Sequence, residues 1–175
     1  MKGQFAGAIE LTVLALWLGA AIIVAAVVAP AAFAVLPSRS LAGALVGRVL
    51  PVLFISGIVV ALIAAACQMT VSRTAFSIKL TAPLIALAAG CAIAQFVITP
   101  RIERIRLAAG GSIDALAAND PNRLLFGKLH AISILWLGVA MLGAVVAAGA
   151  QLYAARTADA TLSHSNENLN IRDAK

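Results

Sequence analysis

Long apolar runs separated by short polar stretches dominate the pattern of this chain. Four runs, at about residues 11–36, 46–67, 79–99 and 131–155, reach the roughly 20 residues that a helix needs to cross a hydrocarbon core of about 30 Å. None shows the period-2 alternation of barrel strands, and a backbone in lipid must satisfy its own hydrogen bonds. The pattern therefore predicts an all-α fold, an integral membrane four-helix bundle.

The stretch between the third and fourth runs predicts a small helical headpiece. Charged residues alternate with Ile and Leu over residues 100–107, which indicates that the third helix continues beyond the membrane. Gly110 and Gly111 are expected to end it, since glycine readily adopts the left-handed turn at a helix end. Asp120 followed by Pro121 is typical of a helix start, so a second extension leads into the fourth run. We expect the two extensions to lie antiparallel on one side of the membrane.

Composition supports a membrane protein and excludes other classes. Of 175 residues, 62% are hydrophobic and 11% are charged, whereas an average soluble domain has about 45–50% and about 25%. Too few charges remain for a water-soluble monomer, and two cysteines cannot form a disulfide framework. The length predicts one transmembrane domain, residues 1–157, followed by a polar tail, residues 158–175, that is expected to be disordered.

The net charge of +6 comes mainly from Lys and Arg residues between the apolar runs. There they orient helices and contact anionic headgroups, so membrane lipids are the expected partners and nucleic acid is not. Close to the membrane, the first and third loops are the more basic, which favours them as cytoplasmic, although the charges of the distal tail nearly erase the difference. The expected location is the bacterial cytoplasmic (inner) membrane, as a multi-pass protein.

Five polar residues cluster by depth at the end of the bundle that carries the first and third loops. They are Arg48, Gln95, Arg101, Lys128 and His130, and all but Lys128 form the candidate site. A polar amide in lipid seeks a partner on another helix, so one interpretation is contact between helices with a surrounding basic collar. The other is a basic pocket for an anionic headgroup or for a ligand that bears a carboxylate or a phosphate.

At the opposite end, Glu10 precedes the first run and Lys79 begins the third. Antiparallel helices place both at a similar depth, so an ion pair is one interpretation. Separate snorkelling of two interfacial side chains is the other. No further carboxylate lies within the four runs, which argues against a proton-driven pump.

The chain has few residues that could bind a metal or a cofactor or take part in catalysis. His130 and His164 are its two histidines, and Cys67, Gln68 and Met69 form a soft-donor triplet of the kind that binds Cu(I). Consecutive helical residues point about 100° apart, so these three cannot converge on one ion. No Ser-His-Asp arrangement, carboxylate pair or phosphate loop is present. We therefore predict no metal site, no cofactor and no catalytic residue.

Several prolines, glycines and polar residues, called landmarks below, occur in a specific order along the chain. They are Arg39, Gly47 and Pro51 after the first helix, Pro100 and Arg101 at the exit of the third, and His130 and Ser133 at the start of the fourth. In order and spacing they resemble the transmembrane-protein-205-like family, including a bacterial branch catalogued as a domain of unknown function. The resemblance covers roughly residues 17–149 and implies a four-helix membrane bundle, with no catalytic residue to transfer.

These observations favour a lipid- or anionic-ligand-binding membrane module. Two alternatives stay open. A small transporter or exporter would require a homo-oligomer, because four helices rarely enclose a path alone. A haem- or copper-related redox protein of similar four-helix architecture would use membrane histidines, and none lies in the first three predicted helices.

Overall fold

The structure is a computed structural model that describes residues 2–71 and 78–173, with side chains for 3–70 and 81–157. All regular structure in these residues is helical. The α-helices are α1 (Lys2–Ile23), α2 (Ala29–Val35), α3 (Arg39–Val71), α4 (Ile78–Ala92), α5 (Thr99–Ala108) and α6 (Pro121–Asp173). A π-helical segment, Val24–Val28, joins α1 to α2, another, Ile93–Ile98, joins α4 to α5, and a 3-10 turn covers Ile113–Ala115.

Four continuous helical stretches are long and apolar enough to cross a membrane. These spans, called first to fourth below, are Gly3–Val35, Arg39–Thr70, Thr81–Ala108 and Pro121–Thr157. The protein is therefore a multi-pass membrane protein, and the predicted all-α bundle is confirmed. The helices extend beyond most ends of the apolar runs, because the polar residues that flank the runs continue the same backbone hydrogen bonding.

Pro30 and Pro100 each lie two residues after the end of a π-helical segment. A proline inside a helix lacks an N–H donor and its ring clashes with the preceding turn. In the segments before them the backbone is wider than in an α-helix, since the N–H of Ala29 donates to the carbonyl of Val24, five residues back. The third span likewise continues through Pro100 and ends at Ala108, so α5 extends the third helix as the sequence predicted.

The headpiece loop, residues 109–120 between α5 and α6, has both of its ends built as predicted. Gly110 and Gly111 have φ angles of 63° and 86°, and the N–H of Gly111 donates to the carbonyl of Arg106 at 2.9 Å, a left-handed closure of α5. At the start of α6, Asp120 Oδ1 accepts a hydrogen bond of 2.7 Å from the N–H of Asn122. Asp120 thereby caps a backbone donor that has no partner within the helix.

The core of the bundle is packed around small residues. A Cβ atom built on Gly143 of α6 would lie 2.6 Å from the carbonyl oxygen of Pro83 in α4, and one on Gly90 would lie 2.9 Å from the carbonyl oxygen of Trp136. The backbones of α4 and α6 can approach this closely only where side chains are absent. Buried alanines, Ala140 among them, continue the contact.

Helix α6 continues past the boundary expected at residue 157. Its backbone is helical as far as Asp173, where the sequence predicted a disordered tail from residue 158. No proline or glycine follows Gly149 to end the helix. The side chains of 158–175 lie outside the described residues, and the division of the chain at 157 stays a prediction.

Candidate functional site

A cavity of about 340 Å³ lies at the headpiece end of the bundle, where the second, third and fourth spans meet the loop. We call it the headpiece cavity. Its lining residues are Phe33 of α2, Arg39, Ser40, Gly43, Val46, Gly47, Leu50 and Pro51 of α3, Thr99, Ile102, Glu103 and Arg106 of α5, Gly111, Ile113 and Asp114 of the loop, and Arg123, Phe126, Gly127, His130 and Ser133 of α6. The walls combine apolar side chains with groups of both charges.

Arg106 is held in the wall of the cavity by two polar contacts and fits into a space left by a glycine. Its Nη1 lies 2.7 Å from Oε1 of Glu103, and its Nη2 donates to the carbonyl of Gly43 at 3.2 Å. A Cβ atom on Gly47 would lie 3.2 Å from Nη1, so this glycine leaves the space that the guanidinium occupies. The Arg106 side chain is 17% exposed. It is thus a fixed cation between α5 and α3.

The loop closes the cavity through polar contacts to α3 and α6. Ser40 Oγ donates to Oδ2 of Asp114 at 3.0 Å and lies 3.2 Å from Oγ of Ser112. Arg123 Nη1 donates to the carbonyl of Leu116 at 2.8 Å. These bonds tie the start of the second span and the start of α6 to the same loop.

Helix α6 presents one face to the cavity. Arg123, Phe126, His130 and Ser133 recur every three or four residues, which is the spacing of one helical face. The rings of Phe126 and His130 are parallel within 1°, with centroids 6.3 Å apart, and Ser133 is buried. An imidazole and a hydroxyl group therefore belong to the cavity wall together with the arginines.

Three guanidinium groups and two carboxylates line the cavity. Glu103 pairs with Arg106, and Asp114 accepts a hydrogen bond from Ser40. Arg39 is exposed and makes no hydrogen bond or ion pair within the described part of the chain. Its guanidinium is therefore available to a ligand at the cavity.

The structure separates the four residues that the sequence grouped as a candidate site. His130 lines the cavity, whereas Arg48 and Arg101 are exposed on the helix surface and are not among the lining residues. Gln95 lies in the π-helical segment Ile93–Ile98, also away from the lining, and its Oε1 is buried with no hydrogen-bond partner among the described residues. The structure therefore does not bring these four side chains together around the headpiece cavity.

The positions highlighted by the family resemblance are brought together more closely. Arg39, Gly47, Pro51 and Ser133 all line the cavity together with His130. Pro100 is exposed, outside the lining, and follows the second π-helical segment. Five of the seven landmarks, on α3 and α6, therefore mark one place in the fold, whereas Pro100 and Arg101 lie outside the cavity lining.

Sequence reasoning missed the acidic and basic residues of the headpiece. Glu103, Arg106, Asp114 and Arg123 all line the cavity, yet none was in the predicted set. The signal that could have found the first two is their spacing, since Thr99, Ile102, Glu103 and Arg106 recur at intervals of three and four and share one helical face. Among the described side chains, no three His, Cys, Asp or Glu residues group as metal ligands.

Comparison with known proteins assigns the chain to a family. None of the curated proteins and none of the solved structures matches it significantly. The family described as Domain of unknown function (DUF4149) matches residues 12–110, which is more than half of the chain. The match includes the α3 and α5 walls of the cavity and ends in the headpiece loop. The chain therefore belongs to the DUF4149 family.

Proposed function

We propose that this protein binds an anionic amphiphile, of which an anionic phospholipid is the nearest source, in the headpiece cavity. The observation that carries the proposal is that the guanidinium groups of Arg39, Arg106 and Arg123 line one cavity at the end of apolar membrane spans. Guanidinium groups bind phosphate and carboxylate groups through charge-assisted, often paired hydrogen bonds. Apolar residues in the same walls, such as Phe33 and Leu50, suit the attached acyl chain.

The charge of the lining favours a headgroup with a single negative charge. Three arginines set against Glu103 and Asp114 leave a net charge of +1, with His130 counted as neutral. Glu103 already occupies part of the Arg106 guanidinium, so Arg39 is the cation with the fewest competing contacts. A phosphodiester such as phosphatidylglycerol carries the matching charge.

The proposed binding set replaces most of the set suggested by the sequence. His130 is common to both. Arg48 and Arg101, exposed on the same end of the bundle, suit the basic collar that contacts headgroups of the surrounding bilayer. The two interpretations that the sequence left open, a pocket and a collar, thus correspond to different arginines.

Lipid retention by matched arginine variants tests this proposal. Arg39→Gln removes a cation that lines the cavity, and Arg48→Gln removes another exposed cation of the same helix that lies outside it. We expect Arg39→Gln to weaken retention of phosphatidylglycerol about fivefold, since an exposed ionic contact contributes up to about 1 kcal/mol, and Arg48→Gln to leave it unchanged. The measurement is native mass spectrometry of protein extracted from phosphatidylcholine vesicles that contain phosphatidylglycerol.

The controls separate the lipid from a free anion. Inorganic phosphate added after extraction displaces the bound lipid if the headgroup contacts dominate, and leaves it bound if the apolar walls contribute. If Arg39→Gln retains the lipid while Arg48→Gln loses it, the site lies where the sequence placed it, at Arg48. Equal retention of phosphatidylglycerol and phosphatidylcholine by the native protein would refute the proposal.

Two finer assignments accompany this function. The five landmarks that line the cavity support placing the chain near the transmembrane-protein-205-like proteins. The helical spans support residence in a bacterial cytoplasmic membrane, since outer-membrane proteins are barrels. The native mass spectra that measure lipid retention also report how many copies of the chain associate. A homo-oligomer is the assembly that a transport function would need.

A further inference from the structure

A second polar cluster lies at the end of the bundle opposite the headpiece cavity. Glu10 of α1 is 1% exposed, and its Oε1 accepts a hydrogen bond of 2.8 Å from Nε2 of Gln68 near the end of α3. Snorkelling of Glu10 to the interface, one of the two interpretations of the sequence, is therefore not observed. A carboxyl group inside a membrane span is rare and commonly marks a function.

Helix α6 packs on α1 one helical turn before this carboxyl group. A Cβ atom on Gly7 would lie 2.6 Å from Nε2 of Gln151, so the amide of Gln151 packs directly on the face of α1 that carries Gly7. Glu10, three residues further, shares that face. Amide side chains from two other helices, Gln68 and Gln151, thus approach the same face of α1.

The groups around Glu10 in the described part of the chain carry no positive charge. Cys67, the titratable group next to Gln68, interacts electrostatically with Glu10, and the neighbours on α1, Ala6 and Leu14, are buried and apolar. Within the same described residues, the ion pair that the structure shows is Arg106–Glu103 at the opposite end. The side chain of Lys79, the partner suggested by the sequence, lies outside the described residues.

We propose that Glu10, with Gln68 and Gln151, forms an intramembrane proton-binding site. Burying an ionised carboxylate without a counter-charge costs several kcal/mol, whereas a carboxylic acid is neutral, accepts the Gln68 hydrogen bond on its carbonyl oxygen and has its own O–H to donate. Release breaks this O–H bond and transfers the proton to water, leaving a carboxylate. Glu10 lies seven residues beyond Gly3, about 10 Å along the helix, so the path to the near surface is short.

This site is independent of the proposed lipid function and is tested separately. Infrared spectra of the full-length protein in phosphatidylcholine vesicles show the C=O stretching band of a protonated carboxylic acid. We expect the band at neutral pH, reversible loss of it as the pH is raised, and its absence in Glu10→Gln. The matched control, Glu103→Gln, removes a partly exposed carboxylate and is expected to keep the band.

Two further variants test the site if Glu10→Gln does not fold and test whether Lys79 pairs with Glu10. Gln68→Met keeps the carboxyl group but removes the amide donor, so it shifts the band to higher frequency even if Glu10→Gln does not fold. Lys79→Gln tests the ion pair: if Lys79 neutralises an ionised Glu10, the native protein lacks the band and Lys79→Gln gains it. Absence of the band from the native protein at neutral pH, or its persistence in folded Glu10→Gln, overturns the proposal.

Discussion

Arg106 rests against α3 at a point where α3 has no side chain. Its Nη1 lies 3.2 Å from the position of a Cβ atom on Gly47, and its Nη2 lies 3.7 Å from that of Gly43. The two glycines are one helical turn apart, and both face the headpiece cavity. Two glycines four residues apart are common by chance in membrane helices. Here Gly43 and Gly47 leave the space in which the Arg106 guanidinium lies.

At the residue scale, the difference between these glycines predicts unequal effects of the same substitution. Alanine at either position favours the helix by about 0.5–1 kcal/mol. At Gly47 the new methyl group must displace Arg106, which is restrained by Glu103 and the carbonyl of Gly43, and such overpacking costs about 1–3 kcal/mol. We expect Gly47→Ala to lower the unfolding free energy in detergent and lipid retention relative to Gly43→Ala, whose methyl group makes an ordinary contact. Equal stabilities would show that Arg106 moves freely.

At the element scale, the contact between α4 and α6 depends on glycine more strictly. A Cβ atom on Gly143 would meet backbone, at 2.6 Å from the Pro83 carbonyl oxygen and 2.8 Å from the Leu87 nitrogen. Backbone atoms cannot rotate away as a side chain can. A side chain at position 143 would therefore force α4 and α6 apart along their contact. Removing close packing here also weakens the apolar core formed with the first and second spans.

Gly143→Ala is therefore expected to destabilise the bundle by about 1–3 kcal/mol, the cost of an overpacked core. Gly138→Ala is the matched control, because Gly138 is on the same helix and a Cβ atom there meets nothing within 4 Å. Thermal unfolding of both variants in the same detergent measures the difference. Equal melting temperatures would mean that α4 and α6 are not packed backbone to backbone.

How far the sequence predicts these elements depends on the range of the interaction. The spans follow from apolar length, and the turn at Gly110–Gly111 and the cap at Asp120 follow from local backbone chemistry. The cavity does not, because it is formed by α3, α5 and α6 together, and apolar runs carry no information on which helical faces meet. Depth along the membrane suggested Arg48, the family resemblance highlighted Arg39, and only the packing shows which of the two lines the cavity.

At the scale of the whole molecule, the bundle has two polar ends separated by an apolar core. One end holds the headpiece cavity with its arginines, and the other holds the Glu10–Gln68 pair. The core between them is apolar, with Leu14, Leu87 and buried alanines at its centre. No chain of hydrogen bonds among the described residues joins the two ends, so the structure connects them only through the packing of the helices.

The charges at each end predict how the bundle is oriented in the membrane. Seven basic residues flank the headpiece end, against four near the opposite end: Arg39, Arg48, Arg101, Arg104, Arg106, Arg123 and Lys128, against Lys2, Arg73, Lys79 and Arg156. Short basic loops are retained in the cytoplasm, so we expect the headpiece cavity to face the cytoplasmic leaflet and both termini to lie outside.

Cysteine accessibility in the full-length chain measures this orientation. With Cys67 and Cys91 replaced by alanine, Ala117→Cys marks the headpiece loop and Ala155→Cys the end of the fourth span, both at exposed positions. A membrane-impermeant maleimide added to intact cells is expected to label Ala155→Cys and to reach Ala117→Cys only after the cells are opened. The reverse pattern would mean that the distal charges Arg172 and Lys175 decide the orientation, and the cavity would then select its lipid from the outer leaflet. Labelling of both positions on intact cells would contradict a bundle in which these two sites lie on opposite faces of the membrane.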